Sequence, residues 1–486
     1  MAGIVFIIFA LLGVPLFAIF GGVALYNYYQ AGLHPIAIIS EYYKLASQPV
    51  LLTIPLFTFA GYLLAESKAP TRLVKVAHAA LGWMPGGLAI VTVLSCAFFT
   101  AFTGASGVTI IALGGLLYPI LVKDGYSDKF SMGLVTSCGS LGLLFPPSLP
   151  LILYGLIGKV SIDKLFIAGI LPGLVIVFVL KYYSQYMALA SNGRRFSMQD
   201  GVKILKSDAV ILIALAIFGA LLGGLYHFFG KVLINDPGLV MVRFLAVLLV
   251  LFVVSVVLLA KTLPQNEMVQ ALRNAIWELP LPVVILVGIY GGFITVSEAA
   301  AVAAFYVLVV EVFIYRDLQI FTDIPKIIKE SMVLVGGILI ILGVAMGLTN
   351  YLIDQEVPFK IFNWVSQFIT SKWMFLVALN IFLLIVGCMM DIFSAVIVVV
   401  PIITPIALKY GVDPIHLAIV FLTNLEIGYI TPPVGLNLFI SSFRFNRPVF
   451  ELYRIAIPFL ILLLVALLII TYIPWLSLGL LDIMGY

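Results

Sequence analysis

The chain of 486 residues is 63% hydrophobic and 10% charged, with a mean hydropathy of +1.22. Soluble domains carry about 25% charged residues, so a soluble globular fold is excluded and an all-α polytopic membrane protein is expected. The net charge of +4 comes from basic residues spread over short loops and gives no surface for nucleic acid; three cysteines (Cys96, Cys138, Cys388) without metal spacing argue against a disulfide or zinc framework.

In chain order, residues 1–26 read as a retained first helix, because they lack a basic leader and a small-residue cleavage site. Apolar stretches long enough to cross a bilayer fall at 4–29, 50–66, 165–181, 208–228, 238–260, 279–296, 298–315, 331–350 and 455–478. Regions 86–122 and 373–409 are too long for one crossing. Their centres carry Gly104-Ala-Ser106-Gly107 and Asp391-Ile-Phe-Ser394, so each is expected to be a helix–tip–helix hairpin. Regions 130–158 and 415–443 contain Gly142-Leu-Leu-Phe-Pro146-Pro147 and Gly428-Tyr-Ile-Thr-Pro432-Pro433. Proline has no N–H and clashes with the carbonyl four residues back. These two crossings should therefore break and free the carbonyls of Gly142 and Gly428. Broken helices survive in hydrocarbon only where they line a protein cavity, and one per half is the pattern of a secondary transporter with a midplane ion site.

Basic residues cluster at 66–85, 181–207 and 316–330, which places these segments in the cytoplasm. The N-terminus is then cytoplasmic, the C-terminus is on the outer side, and the two hairpins enter from opposite faces. At a constant offset of 286, Gly61, Pro119, Lys123, Gly125, Gly142, Pro146 and Pro147 recur as Gly347, Pro405, Lys409, Gly411, Gly428, Pro432 and Pro433. Segments 36–47 and 322–333 fall in the same register and read as amphipathic arms lying along the interface. Three crossings between the halves make the two repeats inverted.

The stretches Pro55-Leu-Phe57, Gly104–Gly107, Gly142–Ser148, Gly291–Thr295 with Glu298–Val302, Asp391–Ser394 and Asn424–Asn437 resemble the large membrane (M) subunit of the TRAP family, the tripartite ATP-independent periplasmic transporters of the ion-transporter superfamily. The resemblance covers nearly the whole chain outside about 205–262. It implies a sodium-driven elevator transporter of the bacterial inner membrane. Such a subunit works with a small four-helix membrane subunit and with a periplasmic substrate-binding protein that delivers organic acid anions such as C4-dicarboxylates or sialic acid. Residues 208–228 and 238–260 depart from the family's usual length. As two spans they are too few to be a fused small subunit, so that subunit is expected as a separate chain.

The expected division follows. Residues 1–85 form scaffold and arm of the first repeat, 86–158 the first transport part, and 159–286 a scaffold helix, linker and inserted pair. Residues 287–372 form scaffold and arm of the second repeat, 373–443 the second transport part, and 444–486 the C-terminal helix. No cofactor is expected beyond sodium as coupling ion. Sodium prefers oxygen ligands, which a broken helix supplies as carbonyls. The candidate sodium ligands are Gly104, Ser106, Gly107, Ser140, Gly142 and Phe145 in one half, and Asp391, Ser394, Gly428 and Thr431 in the other. Ser148, Asn424, Thr431 and Asn437 are candidates for the substrate anion, and Pro146, Pro147, Pro432 and Pro433 are helix breakers. Asp391 can also serve as a helix cap. Glu426 is a further possible ligand or structural acceptor, Glu298 reads as a first-turn acid of a scaffold helix, and Arg444 as a cytoplasmic anchor.

Three other readings compete. Gly104-Ala-Ser-Gly107 fits the string of an intramembrane serine protease, but no histidine falls near Ser106. A self-sufficient sodium/dicarboxylate symporter would use the inserted helices in place of the small subunit. A passive channel has no use for two opposed hairpins. The expectation is a transporter and not an enzyme.

Overall fold

The computed structural model describes residues 14–191, 206, 266–290 and 293–484. The inserted spans at 208–228 and 238–260, and the start of the first helix, lie outside the described residues. The described chain is helical, without strands. Eight helices are long and apolar enough to cross a membrane, and the bent pair Asp128–Leu144 with Leu149–Gly158 adds a ninth span.

The first repeat runs through α1 (Leu16–Gln30), α2 (Ile36–Ala46), α3 (Thr53–Glu66), α4 (Ala69–Leu81), the hairpin α5 (Gly87–Thr103) and α6 (Ser106–Lys123), and the broken crossing α7 (Asp128–Cys138) and α8 (Leu149–Gly158). Next come α9 (Ile162–Ala168) and α10 (Ile170–Ser191), then α11 (Glu267–Asn274) and α12 (Pro280–Tyr290). The second repeat runs through α13 (Val296–Val309), α14 (Asp323–Asp354), α15 (Val357–Val365), the hairpin α16 (Lys372–Met389) and α17 (Ile392–Lys409), and the broken crossing α18 (Pro414–Gly428) and α19 (Leu436–Phe445). Helices α20 (Val449–Tyr472) and α21 (Trp475–Met484) close the chain.

The repeat holds at the level of elements: α6 and α17 have identical bounds at the 286-residue offset. Both expected hairpins and both broken crossings form. One arm differs from expectation. Segment 322–333 is no separate interfacial helix, because it continues into the 32-residue α14. In the first repeat Pro49 ends the equivalent helix, which restarts as a 3-10 turn and α3. Val335 stands at the matching position of the second repeat and lets the helix run on. The stretch 279–296 also differs, since its helix α12 spans 11 residues and stops at Tyr290. Three short amphipathic helices were not expected: α4 and α15, each following the long helix of its repeat, and α11.

The core sits where the repeats cross. Helix α17 packs on α8 and α6 packs on α19, so each hairpin's second helix lies on the far half of the other repeat's broken crossing. The fully buried Tyr154 of α8 meets Phe421 of α18 edge-on at 5.5 Å.

Candidate functional site

The first half-site is built on glycine. Gly104 ends α5 with φ +62°, a left-handed conformation that side chains rarely adopt, and Ala105 then starts α6. After α7 the chain makes a 3-10 turn over Leu141–Leu144 and passes through Pro146-Pro147, whose peptide bond is cis. A Cβ on Gly142 would collide with Ala101 N and Ala97 O, so the turn lies directly against the α5 backbone. On its other side the tip meets α3, where a Cβ on Gly61 would sit 2.6 Å from Phe102 O and Thr103 Cα.

Inside this contact is a set of oxygens that sequence reading missed. Thr100 Oγ1 donates to Gly139 O (2.9 Å) or Cys96 O (2.8 Å) and lies 2.7 Å from Thr109 Oγ1, while Thr103 Oγ1 lies 3.5 Å from Thr109 Oγ1. All three threonines are fully buried. The signal was available: three hydroxyls flank the tip at 100, 103 and 109. Ser106 is buried beside them.

The freed carbonyls do not stand open. Gly142 O accepts the N–H of Phe145 at 3.0 Å, and Leu143 O accepts the hydroxyl of Ser148. Each carbonyl retains a second lone pair. The hydroxyl proton of Ser148 is thereby committed to the turn and not turned outward to a substrate.

The second half-site repeats the geometry with different chemistry. Asp391 caps α17: its Oδ1 accepts the N–H groups of Phe393 and Ser394, both at 3.0 Å, and its Oδ2 accepts the Ser394 hydroxyl. The capping role is therefore real, and it aims the helix N-terminus at the tip. The hydroxyl of buried Tyr429 accepts the Ile392 N–H at 2.6 Å and ties the tip to the broken crossing. Across the tip, a Cβ on Gly428 would meet Gly387 Cα at 2.6 Å. Gly428 O accepts Thr431 N–H, Thr431 Oγ1 donates to Ile427 O, and the Pro432-Pro433 bond is cis.

The two halves are joined by Ser140, whose hydroxyl donates to Glu426 O at 3.3 Å and lies 3.4 Å from Asn437 Nδ2. Ser140 and Glu426 are themselves related by the 286-residue offset, so equivalent positions of the two repeats meet here. Asn437 is buried here with its Oδ1 unpartnered, and both carboxylate oxygens of Glu426, 2% exposed, have no hydrogen-bond partner. Asn424 points elsewhere: it bonds Asn380 Oδ1 of α16 (2.8 Å), which in turn meets Thr471 of α20. Arg444 lies over Gly115 of α6, nine residues or about 13 Å beyond Ser106 at 1.5 Å per residue. Glu298 completes a capping box with Thr295 at the start of α13.

The half-sites are unequally covered. Leu141–Leu144 and Gly104 are buried, whereas Met389 is 66% exposed and Pro433, Val434 and Leu436 are exposed. Gly347, the counterpart of Gly61, meets Ile38 of α2 and not the second tip. No histidine approaches Ser106 among the described residues; His416 is buried between Ser477 and Thr471.

Apolar spans, two tips and two proline breaks in one all-helical core define a multi-pass membrane transporter. The chain belongs to the tripartite ATP-independent periplasmic transporter family, DctM component, which matches residues 3–235 and 235–476. This is a transporter permease family and not an enzyme family. Its large permease works with a small membrane subunit and a periplasmic binding protein. The C4-dicarboxylate TRAP transporter large permease protein DctM of Pseudomonas aeruginosa is 35% identical over 90% of this chain and 87% of its own. The isethionate TRAP transporter permease protein DctMQ of Oleidesulfovibrio alaskensis is 32% identical over 96% of this chain and 64% of its own. An ectoine/5-hydroxyectoine TRAP transporter large permease protein, UehC of Ruegeria pomeroyi, is 27% identical over 89% of this chain and 86% of its own.

Proposed function

We propose that this chain is the permease of a sodium-coupled importer of small organic acid anions in the bacterial inner membrane. In this reading the repeats are inverted, the N-terminus is cytoplasmic and the C-terminus periplasmic, as the basic loops suggest. Sodium binds between each tip and its proline turn. In the first half-site Ser106, Gly142 and the Thr100–Thr103–Thr109 oxygens offer ligands; in the second, Asp391, Ser394 and Thr431 do. The substrate anion lies between the tips, near Ser140 and Asn437 and before the N-termini of α6 and α17. The helices α5–α8 and α16–α19 move as one elevator body against the rest.

The observation that carries this reading is the unequal closure of two equivalent tips. The first is packed on α3 through Gly61, while Gly347 has no such contact with the second. One tip seated on its scaffold glycine and the other without that contact is the asymmetry expected of a core caught in one state of alternating access. The names of the relatives favour a C4-dicarboxylate as substrate, with isethionate as another anion to test.

The test is uptake of labelled C4-dicarboxylate into proteoliposomes holding this chain, its small membrane subunit and its periplasmic binding protein. Uptake should require an inward sodium gradient and the binding protein, and Ser106→Ala and Asp391→Asn should each weaken its sodium dependence. Uptake that ignores sodium would overturn the coupling. Full uptake by this chain alone would overturn the tripartite assignment.

A further inference from the structure

Away from both half-sites, one guanidinium holds three carboxylates. Arg72 of α4 bonds Glu278 Oε1 through Nε (2.7 Å) and NH2 (2.5 Å), Glu311 Oε2 through NH2 (2.9 Å) and Asp317 Oδ2 through NH1 (2.6 Å). The Tyr315 ring stacks on the guanidinium at 3.9 Å. The side chain of Arg72 is 12% exposed, and those of Glu278, Glu311 and Asp317 are buried. Three carboxylates against one buried cation leave a formal charge of −2, and the other cation paired with the cluster among the described residues, Lys68 Nζ, is 3.8 Å from Asp317 and faces water.

So much buried negative charge is not stable without a further positive one. The orphaned atoms say where it goes. Glu278 Oε2 and Glu311 Oε1 are buried and have no partner, while the other oxygen of each binds the same Arg72 nitrogen, at 2.5 and 2.9 Å, which brings the two carboxyls together. Two facing acceptors repel as carboxylates and bond when one carries a proton.

We propose that Glu278 and Glu311 form a proton-binding pair that holds one proton between them and clamps α4 to the lead of α12 and the end of α13. Among the described residues, the titratable groups facing the pair are Arg72 from α4, Lys68 just before it, Tyr306 from α13, and Tyr315 and Asp317 after it. Burial holds the Glu278 carboxyl above the ordinary carboxylate range, outweighing the opposing pull of Arg72. Loss of the proton sets the two carboxylates against each other. Since α4 leads directly into the first hairpin, the clamp connects pH to the hairpin's mounting. This inference is independent of sodium coupling.

The sign follows from linkage. The folded pair binds its proton more tightly than the unfolded chain does, so the clamp is strongest in acid and weakens as pH rises through the pair's own titration. The test uses the full chain in lipid nanodiscs between pH 5 and 9. Wild-type-minus-variant infrared difference spectra should show a protonated-carboxyl band that fades as pH rises, for both Glu311→Gln and Glu278→Gln, with the contribution of the buried Glu426 subtracted. Hydrogen exchange of α4, corrected for intrinsic rates, should show an opening equilibrium that grows by up to about tenfold per pH unit, the limit for one proton, and then levels off. Glu311→Gln should remove that slope, with Glu278→Gln deciding if the first variant does not fold. The same band in wild type and variants, or the same slope in all, overturns the proposal.

Discussion

Gly142→Ala tests the first half-site most directly. The added methyl would meet Ala97 O and Ala101 N of the α5 backbone, with Thr100 Cβ at 2.6 Å. None of these atoms belongs to a flexible chain end, so relief requires the turn to retreat. Moving Thr100 Cβ alone from 2.6 Å to ordinary contact at 3.4 Å takes a shift of about 0.8 Å, and clearing the closer Ala97 O and Ala101 N takes more. Overpacking of this kind costs about 1–3 kcal/mol, and rigid backbone neighbours put it at the upper end. The shift also carries the Gly142 carbonyl away from the Thr100–Thr103–Thr109 oxygens. The sodium concentration for half-maximal uptake should then rise at least about tenfold, or 1.4 kcal/mol. The assay pairs sodium titration of uptake with thermal unfolding in detergent. Gly337→Ala in α14 is the control, since no described atom lies within 4 Å of the added methyl, and alanine favours a helix over glycine by about 1 kcal/mol. Wild-type sodium affinity and stability in Gly142→Ala would refute the packing argument and the site built on it.

Other expectations follow from single contacts. Asp391→Asn keeps the cap of α17, because asparagine caps as well as aspartate, and should retain the wild-type melting temperature while losing sodium affinity; Asp391→Ala should lose both, at about 1 kcal/mol for the cap. Unchanged sodium affinity in Asp391→Asn would leave the residue as a cap alone. Tyr429→Phe orphans the buried Ile392 N–H and should destabilise by about 1–3 kcal/mol, read as a drop in melting temperature with faster exchange at the second tip. Arg72→Ala leaves three buried carboxyl groups, two of them charged, without their cation and should cost about 3–5 kcal/mol near neutral pH. That loss should shrink as pH falls toward 5, because protonation relieves the repulsion that remains, so melting curves at pH 5 and 8 check both magnitude and sign.

Much of this protein is legible in the sequence because its strongest signals are local. Apolar runs fix which segments can cross, proline dictates where α7 and α18 must end, glycine marks the first tip, since only glycine takes the left-handed turn at Gly104 without cost, and Asp391 marks the second. The 286-residue register carries these features into both halves, and the helices agree with it to the residue at α6 and α17. Asp391 is a cap by a rule readable in four residues. What sequence could not supply depends on contacts between distant segments. The Thr100–Thr109 hydroxyl set acquires meaning only because the 3-10 turn packs against α5. Ser148 and Asn424 look like free polar groups until their partners, Leu143 O and Asn380, are in place. Arg72 reads as one more cytoplasmic cation, and only folding brings it three carboxylates more than 200 positions away. The two tips, equivalent in sequence, differ in whether Gly61 or Gly347 has a tip to touch. Local chemistry repeats with the chain, but closure belongs to the relative placement of whole bodies, and a symmetric sequence cannot fix that.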